Sequence, residues 1–101
     1  MPAKMKAIPM SEVKEYYARQ KPGGHWFDRD TMRFFKTKLP RSAYEGPAGI
    51  LFVTQETNPS NETRFTVRRQ AVSGDIETVG EFHHYLTRDL AMDEVRRLHT
   101  V

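Results

Sequence analysis

The chain of 101 residues contains no cysteine, which excludes a disulfide framework, a thiolate zinc site and a cysteine nucleophile. Long apolar runs are missing as well: nothing approaches the roughly 20 residues that a membrane-spanning helix requires. Met1 to Met10 carries two lysines but lacks the continuous apolar stretch of a secretion signal. Together these absences point to the cytoplasm. Charge of one sign is also scarce, since 16 basic against 13 acidic residues leave a formal net charge of +3. A dedicated nucleic-acid binder usually shows a basic run or stripe, so this excess is equally compatible with a mixed, solvated surface. No glycine-rich phosphate loop, nucleophile elbow or zinc-protease motif is present.

What the sequence does contain is enough apolar material for one core. Apolar residues make up 38% of the chain, and Trp26, six Phe and four Tyr each bury a large area. At this length one domain spanning 1–101 is expected, with residues 1–9 as a loose lead-in. Ser11 is expected to cap a helix that runs to about Lys21, where Pro22-Gly23-Gly24 stops it. Asp28 is the expected cap of a second, shorter helix, with Phe27 stapled onto Met32. From Lys38 the period changes. A short edge strand is expected around Ser42 to Glu45, and a central strand over Ile50 to Gln55. The next strand, about Glu62 to Ala71, alternates, with Phe65 and Val67 on one face and Arg64, Thr66, Arg68 and Gln70 on the other. Ile76 to Tyr85 reads as the last strand, with Gly80 as a bulge or a close backbone approach. Thr87 then caps a helix to about His99. The fold class is α+β: two N-terminal helices, an antiparallel meander of three or four strands, and a C-terminal helix packed on one sheet face, which leaves the other face open.

The runs Phe27-Asp28-Arg29-Asp30-Thr31-Met32-Arg33-Phe34-Phe35, Arg64-Phe65-Thr66-Val67-Arg68 and Gly74-Asp75-Ile76-Glu77-Thr78-Val79-Gly80-Glu81-Phe82 resemble a family of small uncharacterised proteins from bacteriophages, plasmids and other mobile elements. The resemblance covers most of the chain. It implies a genomic setting, with no activity or catalytic residues to carry over.

The candidate chemistry is sparse. His83 and His84, as neighbours in a strand, would point to opposite faces and could not readily share an ion; Glu81 and His83 share a face but make only two ligands. No metal or cofactor is therefore expected. The acidic pairs Asp28/Asp30 and Glu77/Glu81 fit a helix's first turn and a solvent-facing strand better than acid/base work. The expectation is a protein that is not an enzyme and takes no small-molecule substrate. Two partner classes remain. A nucleic acid would meet the strand face carrying Arg64, Arg68 and Gln70, with Arg69 close by, through arginine-phosphate contacts. A host or phage protein would instead be met through the sheet edge and aromatics such as Trp26 and Tyr44. Pairing of the strand arginines with Glu56, Glu77 or Glu81 would neutralise the basic face. Interleaved charge around an apolar patch would favour the protein partner.

Overall fold

A computed structural model describes residues 4–100. The elements run β1 (Lys6–Pro9), α1 (Met10–Gln20), α2 (Arg29–Arg33), β2 (Ser42–Gly46), β3 (Gly49–Thr57), β4 (Thr63–Gln70), β5 (Ile76–Val79) and α3 (Arg88–Leu98). The strands form one antiparallel sheet in the order β1-β2-β3-β4-β5. The α+β class and the antiparallel sheet are as expected, but the strands among the described residues number five. The additional one is β1, which occupies part of the expected lead-in and pairs Lys6 with Glu45 and Pro9 with Ser42. Residues 1–3 of that lead-in lie outside the described residues. Because β1 takes the edge, β2 is an interior strand.

β1 also changes how α1 begins. Strand pairing continues to Pro9, which sits at the N-cap position with extended backbone and no side-chain cap. The first helical amide, Met10 N–H, donates to the Arg41 carbonyl at 3.0 Å. Ser11 is therefore inside the helix and caps nothing. Asp28 does occupy the N-cap position of α2, but its side chain makes no cap bond; its Oδ2 lies 2.7 Å from His25 Nδ1 instead. At α3 the expected cap is present, with Leu90 N–H donating to Thr87 Oγ1 at 3.2 Å.

Alternation along β3 sends consecutive side chains to opposite faces, and both faces are covered. On one, Phe52 and Ala43 pack with Ile8, Met10 and Val13, the last two from α1, and Trp26 and Phe27 lie against this cluster. On the other, Leu51, Val53 and Val67 pack against Ala91 and Val95 of α3. The expectation of an open sheet face is thus corrected: α1 and the Trp26 segment cover the side that α3 leaves free. The expected β4 alternation holds for Val67, fully buried, with Phe65 half-buried on the same face.

The last strand is shorter than expected. β5 ends at Val79, and Gly80 (φ +78°) turns the chain out of the sheet into a loop where His83 also takes a positive φ of 61°. Gly80 is a strand terminator, therefore, and not an internal bulge. Only Tyr85 returns to the sheet, bridging Phe65. This loop is the second wall of the surface described next.

Candidate binding surface

The site is built on three polar residues that share one face of the sheet. Thr54 and Glu56 on β3, and Arg68 on β4, share the face that carries Phe52. Arg68 sits opposite Phe52 in the register and reaches diagonally along β3. Its Nε donates to Thr54 Oγ1 at 3.1 Å, Nη1 to Thr78 Oγ1 at 2.6 Å and Nη2 to Glu56 Oε2 at 3.2 Å. The other Glu56 oxygen accepts from Thr66 Oγ1 at 2.7 Å. Glu56 is fully buried and the Arg68 side chain is 11% exposed. A buried carboxylate is tolerable only when paired and hydrogen-bonded, and both conditions are met here.

Aromatic rings close over this pair. The Arg68 guanidinium lies 5.5 Å from the Trp26 ring centroid and 5.3 Å from that of Phe82, within the range of cation–π attraction. Trp26 rests edge-on against Phe52 at 6.0 Å and Phe27 at 4.7 Å. Phe82 contacts Phe35 at 5.1 Å, and Phe35 contacts Phe34 at 4.6 Å. The 80–85 loop is pinned to the sheet by His83. Its backbone N–H donates to Thr66 Oγ1 at 2.9 Å, and its Nε2 lies 3.2 Å from the Glu56 carbonyl oxygen and 3.1 Å from that of Glu62. Two carbonyl neighbours require the proton on Nε2. His83 and His84 are loop residues rather than strand neighbours, and His84 Nδ1 lies 3.3 Å from Glu81.

The outer end of this ring chain is open. Phe34 is 72% exposed and Phe82 42%. The surface therefore joins an apolar, aromatic rim to a cationic centre whose charge is already matched by Glu56.

The sequence-nominated residues divide between several places. Trp26 and Arg68 come together, with Trp26 packing on the cation. Arg68 had been expected in solvent; covering of this face by the Trp26 segment and the 80–85 loop buries it. Gln70 shares the face but is also buried, its Nε2 donating to the Val13 carbonyl at 3.0 Å. Arg64 is partly exposed, 3.4 Å from Glu62. Arg69 points to the opposite face and makes two bonds to Glu77 Oε2, at 3.0 and 2.8 Å. Tyr44 is half-buried on the α3 side, away from Trp26, and its carbonyl lies 3.0 Å from His99 Nε2. The four nominated nucleic-acid contacts are thus spread over two faces, and each arginine has an acidic neighbour. Glu56 and Glu77 were foreseen as neutralising partners; Glu62 was not.

The residues missed by sequence reading are Phe82, Phe34, Phe35, Thr54, Thr78 and His83. A signal existed for Thr54, which stands at period two between Phe52 and Glu56 and so shares their face. Phe82 had none, because its position follows from the turn at Gly80. Among the described residues no three His, Asp or Glu side chains come together in a way that could hold a metal ion, and no helix is long and apolar enough to cross a membrane.

No curated protein and no solved structure matches the chain. A family model does match, over residues 9–96, and so takes in every element from the start of α1 to the last turn of α3. The chain belongs to this family, DUF7447, which is described as a family of unknown function.

Proposed function

We propose that this is a non-catalytic, cytoplasmic accessory protein of phage or mobile-element type that binds another protein, acting as a regulator or inhibitor of a host or phage enzyme. The observation that carries this reading is the exposed aromatic rim of Phe34 and Phe82 around an arginine neutralised from within by Glu56. Exposed aromatics beside a rigid packed base are the usual anchors of protein interfaces. Nucleic-acid binding through Arg64, Arg68, Arg69 and Gln70 draws less support, since those residues form no continuous basic face and the arginines lie beside Glu62, Glu56 and Glu77.

The test compares wild-type protein with a Phe34→Ser/Phe82→Ser variant as bait in the cells that carry the gene, with and without nuclease. Phe34 is largely solvent-exposed, so its replacement should change stability by no more than about 0.5 kcal/mol. A protein retained by the wild type after nuclease, and lost with the double variant, supports the reading. Capture that disappears with nuclease, or that ignores both phenylalanines, overturns it.

A further inference from the structure

The positive charge of the chain is concentrated beside the aromatic rim. Between Arg29 and Arg41 the sequence has five basic residues, Arg29, Arg33, Lys36, Lys38 and Arg41, against Asp30 alone, so this segment exceeds the net charge of +3 carried by the whole chain. All six residues are exposed. Arg33 lies 3.4 Å from Asp30, but Arg29, Lys36, Lys38 and Arg41 take part in no ion pair among the described residues. This separates them from the β4 arginines, each of which has an acidic neighbour.

Local geometry sets three of these cations around Phe34. Arg29 and Arg33 stand four residues apart on α2 and share a side of the helix, and Phe34 follows at the C-cap. The Lys36 N–H donates to the Arg33 carbonyl at 3.0 Å and the Thr37 N–H to the Met32 carbonyl at 2.7 Å, so the chain folds back within one turn. Lys36 takes a φ of 49° there, which glycine or asparagine adopts at less cost. The Phe34 and Phe35 rings meet at 81°, and those of Phe35 and Phe82 at 59°. An apolar side chain can lie against rings set at such angles, but they do not form the platform on which successive bases of a single strand stack. Carboxylates also interrupt the positive field, since Asp30 stands one turn before Phe34 and Glu81 precedes Phe82. A continuous phosphate backbone would meet both, whereas a peptide can place carboxylates only where the cations are.

We propose that this surface receives an acidic segment of a protein partner, with carboxylates directed to Arg29, Arg33 and Lys36 and an aromatic or branched aliphatic side chain seated on Phe34 and Phe82. The proposal rests on the protein-partner reading and narrows it to one chemistry. The full chain is titrated into a fluorescein-labelled peptide in which glutamates alternate with leucines around one tryptophan, and binding is followed by fluorescence anisotropy. The same peptide with glutamine for glutamate, and a thymidine oligonucleotide of equal charge, serve as controls. The acidic peptide should bind at least about tenfold more tightly than the glutamine peptide, the combined effect of a few exposed ion pairs. Arg29→Gln/Lys36→Asn should weaken it about three- to tenfold and keep the fold, because both positions are exposed and asparagine suits the Lys36 backbone. Removing the same charge on β1 and α1, by Lys6→Gln/Lys14→Gln, should leave the affinity within about twofold. Phe34→Ser should weaken it about fivefold or more. A glutamine peptide that binds as tightly, equal losses in the two charge variants, or an oligonucleotide that binds more tightly than the peptide would each overturn the proposal. In the cells that carry the gene, a protein lost with the Phe34→Ser/Phe82→Ser bait but fully retained by Arg29→Gln/Lys36→Asn would overturn the acidic segment and leave the protein-partner reading standing.

Discussion

Arg68 shows how a single side chain can be read correctly for its face and wrongly for its surroundings. Period-two alternation assigns it to the face opposite Val67, as observed, but alternation carries no information on what covers that face. In the folded chain, removing the arginine would leave the Glu56 carboxyl fully buried and without its cation. Arg68→Ala should therefore destabilise the protein by about 3–5 kcal/mol, the usual cost of breaking a buried ion pair from one side. The double change Arg68→Met/Glu56→Leu should cost less than Arg68→Ala alone, since it removes both charges and fills the space with apolar groups. Urea denaturation of the three proteins decides the matter. A double variant no more stable than Arg68→Ala would mean that the rings and threonines, and not the stranded carboxylate, dominate the loss.

Elements are joined in this fold by a few buried contacts between distant residues, and His99 makes one of them. Completely buried at the end of α3, it accepts from Ala48 N–H at Nδ1 (3.2 Å) and lies with Nε2 3.0 Å from the Tyr44 carbonyl. The first bond requires Nδ1 to be unprotonated and the second requires the proton on Nε2, so the ring is held as one neutral tautomer. It ties the helix to the β2–β3 turn. Gly46 makes that approach possible, because a Cβ there would collide with the Lys4 carbonyl and lie 2.6 Å from His99 Nδ1. Gly46→Ala should accordingly destabilise by about 1–3 kcal/mol, as overpacking does, and hydrogen exchange should show α3 and β1 losing protection together. Unchanged exchange in both elements would break the link. The same helix carries a pH-dependent contact. The hydrogen bond from Arg97 holds Glu94 below the ordinary carboxylate value against the opposing effect of burial, and burial followed by the Glu94 charge pushes the Tyr85 phenol up. A depressed folded-state value means that the Glu94 contribution is present above the unfolded value of about 4.3 and fades as pH falls through the folded one. Glu94→Gln should therefore lower stability at neutral pH, and the difference from wild type should vanish in acid; a gap of constant size across that range would count against the ion pair.

For the molecule as a whole, the sequence disclosed the class, the central position of β3 and the Thr87 cap, because each rests on a local pattern: an apolar run, a turn, a capping residue. It did not disclose β1, whose four residues Lys6–Pro9 have no period long enough to recognise and become a strand only by pairing with β2. From that omission came the expectation of an open face. A chain that enters through an edge strand delivers α1 to the side opposite α3, and the surface expected to hold free arginines is then roofed by Trp26 and Phe82. The roof has a consequence for partner choice. Arg64, Arg68 and Arg69 lie beside Glu62, Glu56 and Glu77, so the guanidinium groups of β4 already have carboxylate neighbours in place of the phosphates they would otherwise neutralise. Nucleic-acid binders with six to ten phosphate contacts lose about 10³–10⁵ in affinity between roughly 50 and 200 mM salt, whereas an interface anchored on Phe34 and Phe82 gains its free energy from apolar area and is only weakly screened. Affinity for the physiological partner should thus fall less than about tenfold over that salt range, and Arg64→Ala/Arg69→Ala should leave it nearly unchanged while Phe34→Ser weakens it. A steep salt dependence that the two arginine substitutions flatten by about one unit each would return the protein to the nucleic-acid class.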